Sequence, residues 1–389
     1  MVTRISARRD RTRQLLLGEL GRRGALTRTQ LAAATGLSPS ATAAGVADLL
    51  ADGLMSEDDA TRNAAVPRRG RRSTQLTLAR PSGHVIGIDF GHMHVRVAVA
   101  DTTAAVLAEA ERSLDVDQRA SAAIAAAADI IHELLGKASV DRGQVLCVAA
   151  GVPGPLDRDR KVVSSPTILR SWIDLPAADE LSRRLGLPVI IDNDADMGAL
   201  GEKRYGAGRD YDDFLYIDAS HGIGAGIVIN GHTYRGARGL AGEIGHTQLP
   251  GALNRCRCGN QGCLESVISV PEVRRQLAHT HLGSVDGTAQ PPLTEVAADP
   301  VGARVLADAG RIIGRVVADG CNWINPEAII LGGELGASGP PFAEGFRESV
   351  DRYAQPATAA AVAVHTAALG PRSVLMGAIA AALDRAARY

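Results

Sequence analysis

Apolar residues recur on a helical period near the start of the chain, at Leu15, Leu16, Leu17 and Leu20, and predict a first helix over residues 8–22. Gly24 interrupts it. Thr27-Arg-Thr-Gln30 then has the form of a capping box, a hydroxyl before the first turn and an amide three residues on, and opens a second helix through Ala34. Thr35-Gly36-Leu37-Ser38-Pro39 reads as a tight turn, with Ser38 capping a third helix and Pro39 at its first position. That helix is predicted to reach about Asp52, to bury Val46, Leu49 and Leu50, and to stop at Gly53. Two helices joined by a short glycine-containing turn are the unit that enters a DNA major groove. A small helical bundle used for dimerisation is the alternative.

A polar stretch begins near Ser56, and Pro67 to Ser73 within it is the expected boundary. Residues 1–80 are thus read as a winged helix-turn-helix domain, with 66–73 as an arginine-rich linker just after the wing. Beyond the linker, strand-like and helix-like runs alternate. Apolar strands are predicted at His84–Gly91, Val95–Ala100, Ala105–Arg112 and Val145–Ala150, with an alanine-rich helix at Ala120–Leu135. The order then repeats: a strand at Asp213–Ile217, a glycine-rich turn at Gly222–Gly226, a strand at Ile227–Asn230, a long helix at Val301–Asn322 and a strand at Ala328–Leu331. Such a repeat implies a duplicated α/β body with a cleft between two lobes, 84–195 and 196–389. A last helix, about Ser373–Arg388, is expected to pack back onto the body.

Charge sharpens the division. Residues 1–80 hold fourteen arginines, no lysine and seven acids, a balance of +7, while the whole chain carries −1. A basic head on an acidic body suggests that the head meets a polyanion. The candidate DNA contacts are Arg28, Ser38, Ser40 and Thr42 around the third helix, and Arg68, Arg69, Arg71 and Arg72 in the arginine cluster. The third helix begins without Arg, Lys, Asn or Gln, the side chains that read base edges in pairs. The arginine cluster is therefore expected to reach a minor groove, or else only phosphates. Aromatic residues are only 3% of the chain, so aliphatic side chains must fill the cores. No apolar run approaches the roughly 20 residues of a membrane span. With no signal peptide at its start, the chain is expected to be cytoplasmic.

Chemistry concentrates in A-G-E-I-G-H-T-Q-L-P-G-A-L-N-R-C-R-C-G-N-Q-G-C-L-E. His246, Cys256, Cys258 and Cys263, within eighteen residues, form a full ligand set for one structural tetrahedral zinc ion per chain. A disulfide and a stray thiol are the alternative, disfavoured where thiols stay reduced. Glu243 and Glu265 frame the cluster, so the metal would fix a loop that carries acids. Cys147, in an apolar strand-like run, and Cys321, in a helical pattern, read as core residues.

Taken together, these motifs resemble the ROK family of bacterial sugar kinases and sugar-responsive repressors. The resemblance rests on Asp89-x-Gly91, Gly151-Val-Pro-Gly-Pro155, Asn193-Asp194, Glu243-x-Gly-His246 and the Cys-x-Cys-Gly-x-x-Gly-Cys-x-Glu signature at 256–265. It implies an actin/hexokinase-like two-lobe body in which Asn193, Asp194, Glu243, His246 and Glu265 bind a monosaccharide. In the family's kinases the equivalent of Asp194 is the general base, and His246 could serve both metal and sugar. The helix-turn-helix in front resembles the regulator branch, whose partners are operator DNA and a small sugar effector and which is expected to form a homodimer or higher homo-oligomer.

The alternative is an ATP-dependent, glucokinase-like sugar kinase with an added DNA-binding domain. Phosphoryl transfer needs polar cradles for the phosphates. Where the family's kinases carry two threonines, this chain has Met93 and His221, so no catalytic activity is expected. Gly222, Gly224 and Gly226 also suggest a dinucleotide fingerprint, but they lead into a strand, whereas that motif must open a helix.

Overall fold

The computed structural model describes residues 12–20, 23–52, 54–59, 74–78, 83–157, 162–163, 169–283 and 290–387. The chain divides into two compact units, Met1–Ser82 and Gly83–Arg388.

In the first unit, residues 12–20 are helical and are followed by helices Arg28–Thr35 and Pro39–Ala51. The expected caps are made. Thr27 Oγ1 accepts from the Gln30 amide at 3.3 Å, and Gln30 Oε1 accepts from the Thr27 amide at 2.9 Å. Gly36 ends the second helix at φ 67°, a left-handed conformation natural to glycine. The Ser38 hydroxyl then accepts from the Ala41 amide at 3.2 Å and starts the third helix. Leu16, Leu20, Leu31, Val46, Leu49, Met55 and Leu76 form one core, against which Leu50 is only partly buried. A three-stranded sheet, in the order Leu26–Thr27, Thr74–Leu78, Met55–Asp59, completes a winged helix-turn-helix.

That sheet corrects the expected linker. Met55–Asp59 and Thr74–Leu78 are antiparallel neighbours, with Asp59 opposite Thr74. The segment 66–73, with Arg68, Arg69, Arg71 and Arg72, lies outside the described residues. In chain order, however, it joins two strands of one sheet, and the break between units comes later, at Ser82/Gly83.

The second unit holds two five-stranded sheets of identical topology. In the first, the spatial order is Val189–Asn193, Val145–Val152, His84–Phe90, His94–Asp101, Val106–Ser113. In the second, it is Ala363–Thr366, Ala328–Gly332, Phe214–Ala219, Ile223–Ile229, His232–Thr233. Each is a three-stranded antiparallel meander whose first strand also pairs in parallel with the fourth. Helices Ala120–Ala138 and Pro300–Ile324 occupy equivalent places between the third and fourth strands. The body is therefore a duplicated α/β fold, each lobe with its own aliphatic core.

Two helices bind the lobes together. Asp194–Tyr205 follows directly from the last strand of the first sheet, and Ser373–Ala386 returns to that sheet, burying Leu375 and Ile379 against Val85, Ala98 and Ala149. The buried carboxylate of Glu202 links them, accepting from the Ala368 and Leu369 amides and the Ser373 hydroxyl at 3.1, 3.0 and 2.8 Å. The glycine-rich run differs from the expected turn, because the strand Ile223–Ile229 begins within it. Gly226 is in that strand because a Cβ there would lie 2.4 Å from the Ala195 carbonyl oxygen of the neighbouring helix. Among the described residues, no helix is long and apolar enough to cross a membrane.

Candidate functional site

The cleft between the lobes contains a cavity of about 470 Å³ whose lining includes Asn193, Asp194, Glu243, His246 and Glu265. The fold delivers them from separate places. Asn193 ends the last strand of the first sheet and caps the helix that Asp194 begins, its Oδ1 accepting from the Asp196 amide at 3.1 Å. Its Nδ2 donates to the Gly154 carbonyl at 3.0 Å, which fixes the side chain at the cavity wall. Glu243 and His246 bracket a single 3-10 turn, Ile244–His246. Glu265 lies in the short helix Leu264–Val267, immediately after Cys263.

His246, Cys256, Cys258 and Cys263 converge, with ligand atoms all within 4.8 Å of one another. His246 Nδ1 is 3.7 Å from Cys256 Sγ, and Cys258 Sγ is 3.7 Å from Cys263 Sγ. A tetrahedron with metal–sulfur bonds of about 2.3 Å has sulfur–sulfur edges of about 3.8 Å, whereas a disulfide would bring two sulfurs to about 2.0 Å. The four residues therefore fit a metal ion, and all five cysteines are free. The other imidazole nitrogen, Nε2, lies 3.8 Å from Glu243 Oε2, on the cavity side. One ring thus touches both the metal cluster and the cavity.

The cavity's acids are crowded. Burial pushes the Asp194 carboxyl well above the usual carboxylate range, and the nearby charges of Asp218, Asp89 and Glu243 push the same way. Glu243 is pushed up to about 7, by burial first and by Glu265 second. Burial also raises Asp218, partly opposed by the Ser220 hydroxyl, which donates to it at 2.7 Å. Carboxylates that water no longer solvates need hydrogen-bond donors. A neutral molecule with several hydroxyls supplies them.

Met93 and His221 also line the cavity. Met93 remains 51% exposed beside the cavity. The His221 ring stacks on His92 at 5.5 Å between centroids, and its pKa is lowered, chiefly by burial and then by His92. Both effects disfavour its cationic form. His92 Nδ1 pairs with Asp117 at 2.7 Å, and Arg257 bridges Asp117 Oδ2 at 3.2 Å and Glu265 Oε1 at 3.0 Å.

Sequence reasoning missed Asp218, Asp117, His92 and Arg257. The duplication held the signal for Asp218. It is the penultimate residue of the first strand of the second sheet as Asp89 is in the first, and both line the cavity. Asp117 and Arg257 meet only through the fold, 140 residues apart in the chain.

In the winged unit, Thr42 must be corrected as a DNA contact. It is 2% exposed and shares the inward face of its helix with Gly45, Val46 and Leu49, one turn and two turns on. Ser40 is exposed, the Ser38 hydroxyl serves the helix cap, and Arg28 pairs with Glu57 of the wing strand.

The family model described as "ROK family" matches residues 85–385. The xylose repressor of Bacillus subtilis is 27% identical over 339 residues, covering 87% of this chain and 85% of that protein. A crystal structure described as a ROK family transcriptional regulator, a homologue of the E. coli MLC protein, superposes with a TM-score of 0.77 at 24% identity, over 96% of each chain. The ROK glucokinase of Streptomyces griseus, solved with glucose and AMPPNP, superposes at 0.67 and 30% identity, covering 100% of itself but 78% of this chain.

Proposed function

The chain belongs to the ROK family, and on that premise we propose that it is a sugar-responsive transcriptional regulator, a repressor of operator DNA. The observation that carries this reading is the joining, in one chain, of a winged helix-turn-helix to a cleft ringed by under-solvated acids. The extent of the likeness supports it, since the regulator covers this chain nearly end to end whereas the glucokinase leaves about a fifth of it unmatched.

In this reading, a monosaccharide occupies the cleft. Asp194, Glu243 and Glu265 accept hydrogen bonds from its hydroxyls, the Asn193 amide donates, and His246 Nε2 faces the ring. A buried hydroxyl left unpaired costs about 1–3 kcal/mol, so the ring of acceptors selects a polyol. The metal is one structural zinc per chain, held by His246, Cys256, Cys258 and Cys263. It fixes the loop bearing Glu243 and Glu265, and His246 carries its position directly to the cavity. Asp194, the kinase-base equivalent, acts here as an acceptor only. With Met93 and His221 in place of hydroxyls, no phosphate cradle faces it and the protein is not an enzyme.

The regulator works in the cytoplasm as a homodimer, because two half-sites require two heads at a fixed spacing. The exposed Ser40 and the arginines 68, 69, 71 and 72 contact DNA. Sugar shifts DNA affinity by binding one arrangement of the lobes better than another. The test is to select DNA from a random pool with the full chain, then titrate the selected duplex with and without xylose, glucose and their 6-phosphates. A duplex bound at nanomolar levels whose affinity changes with one sugar supports the reading. Failure to enrich any sequence, or sugar-dependent ATP turnover, overturns it.

A further inference from the structure

Four arginines of the second lobe reach acids of the first lobe or of the helix that follows it, and one of them, Arg372, meets Glu109 at 2.6 Å. Arg235 Nε donates to Asp192 at 2.7 Å and lies 3.6 Å from Asp196. Arg238 donates to the buried Asp157 at 2.7 Å. Arg257 donates to Asp117 at 3.2 Å. Among the described residues, only Arg257 also binds an acid of the cavity, through Nε to Glu265 Oε1 at 3.0 Å. Its place in the chain is unusual, since it stands between Cys256 and Cys258, two members of the metal cluster. A guanidinium is a planar fork that can hold two carboxylates at once in fixed geometry. Here one carboxylate belongs to each lobe.

The partners of that fork are themselves held. Asp117 accepts from His92 at 2.7 Å, and the carbonyl of the same residue accepts from the Ser171 hydroxyl at 2.8 Å. Glu265 is held on its far side by the Ile223 amide at 3.4 Å. The stacked rings of His92 and His221 add a second crossing beside the first. Removing Arg257 would leave Glu265 with one weak donor and Asp117 with His92 alone. Both are largely withdrawn from water, so neither loss is made good by solvent.

We propose that Arg257 is a positioning residue that clasps the two lobes across the cleft, tying the cavity carboxylate Glu265 to Asp117. It acts on the effector through Glu265, beside which it lines the cavity. The clasp joins three events that would otherwise be separate: ordering of the metal loop, orientation of a sugar-binding acid and closure of the lobes. Its link to the effector rests on the reading of the cavity as a sugar site.

The experiment uses the full-length protein with fluorophores placed, through unnatural amino acids, at the exposed positions Lys137 and Arg304, one in each lobe. Energy transfer reads the distance between lobes, calorimetry reads sugar affinity, and bound zinc is measured in every sample. Arg257→Met and Asp117→Asn are each expected to lower energy transfer without sugar while keeping wild-type zinc. Affinity should fall about tenfold or more in Arg257→Met, the scale of a charged hydrogen bond. The double variant should be no weaker than Arg257→Met alone, because both changes break one connection. Arg257→Lys, which can hold one acid but not two, should fall between. Wild-type energy transfer in both variants overturns the clasp, as does a double variant weaker than Arg257→Met by the full separate effect of Asp117→Asn. If no sugar binds the wild type, the sugar reading fails, and energy transfer still decides the clasp.

Discussion

Replacing Gly226 with Ala tests how closely the second sheet supports the Asp194 helix. The added Cβ would lie 2.4 Å from the Ala195 carbonyl oxygen and 2.5 Å from the Ala199 Cβ. Ordinary contacts begin near 3.4 Å, so strand and helix must separate by about 1 Å. Neither neighbour is the far end of a flexible side chain, and overpacking of this kind costs about 1–3 kcal/mol. In a body of this size that lowers Tm by about 2–5 °C. The displaced segment begins at Asp194, and moving a charged acceptor by about 1 Å removes most of one hydrogen bond, about 1.5–3 kcal/mol or about ten- to a hundredfold in affinity. Gly320→Ala is the control. On the helix Pro300–Ile324, no described atom lies within 4 Å of the place its added methyl would take, so helix propensity should make it stabilising by roughly 0.5–1 kcal/mol. Thermal unfolding and calorimetry with the binding sugar measure both variants. A Gly226→Ala protein with wild-type Tm and wild-type affinity would refute the close packing and the placement of Asp194 in the sugar site.

Cys258→Ser should lose bound zinc, lower Tm and abolish sugar binding while leaving DNA binding by the winged unit; a metal-free protein with full sugar affinity sinks the supporting role of the metal. Wild type should show no sugar-dependent ATP hydrolysis and Asp194→Asn should weaken sugar binding; turnover at about 1–100 per second returns the protein to the kinases. Changing Arg68, Arg69, Arg71 and Arg72 together to Ala should reduce both DNA affinity and its salt slope, by about one unit for each arginine that pairs with a phosphate, and an unchanged slope would leave the segment as a mere connection. His94 faces Asp89 at 3.1 Å, and although burial pulls its pKa down, the hydrogen bond and charge of Asp89 outweigh that and raise it. A raised histidine stabilises most at pH below its unfolded value of about 6.5 and loses that contribution as pH climbs through the folded value. The Tm deficit of His94→Gln should therefore be larger at pH 6 than at pH 8.5, and an equal deficit at both would show that the ring acts by packing alone.

Local signals were the most legible. The capping box at Thr27, the Ser38-Pro39 helix start and the strand at His84 are decided by neighbours within one turn or by an unbroken apolar run, and each is where the pattern places it. The metal cluster was legible for the same reason, its four ligands being close in the chain. The errors share another cause, in that distant partners decide them. Gly222–Gly226 looks like a turn until the helix that needs the bare backbone is packed beside it. Pro67–Ser73 looks like a linker until Asp59 is found opposite Thr74. Thr42 looks available until its helix is rotated so that Val46 and Leu49 face inward, which carries residue 42 with them.

The duplication explains why the cleft is acidic and why a polyol is the natural occupant. The body holds two copies of one sheet, and the first strand of each carries an aspartate as its penultimate residue, Asp89 and Asp218. Asp194 joins them from the connecting helix, where Asp218 and Asp89 both raise the cost of ionising it, and Asp89 does the same to Asp218. A kinase offsets such crowding with a metal-bound nucleotide. In the proposed reading Met93 and His221 take the place of a phosphate cradle, which leaves hydroxyl donors as the acids' best partners. On that proposed reading, loss of phosphate chemistry and retention of sugar binding are thus compatible within one site.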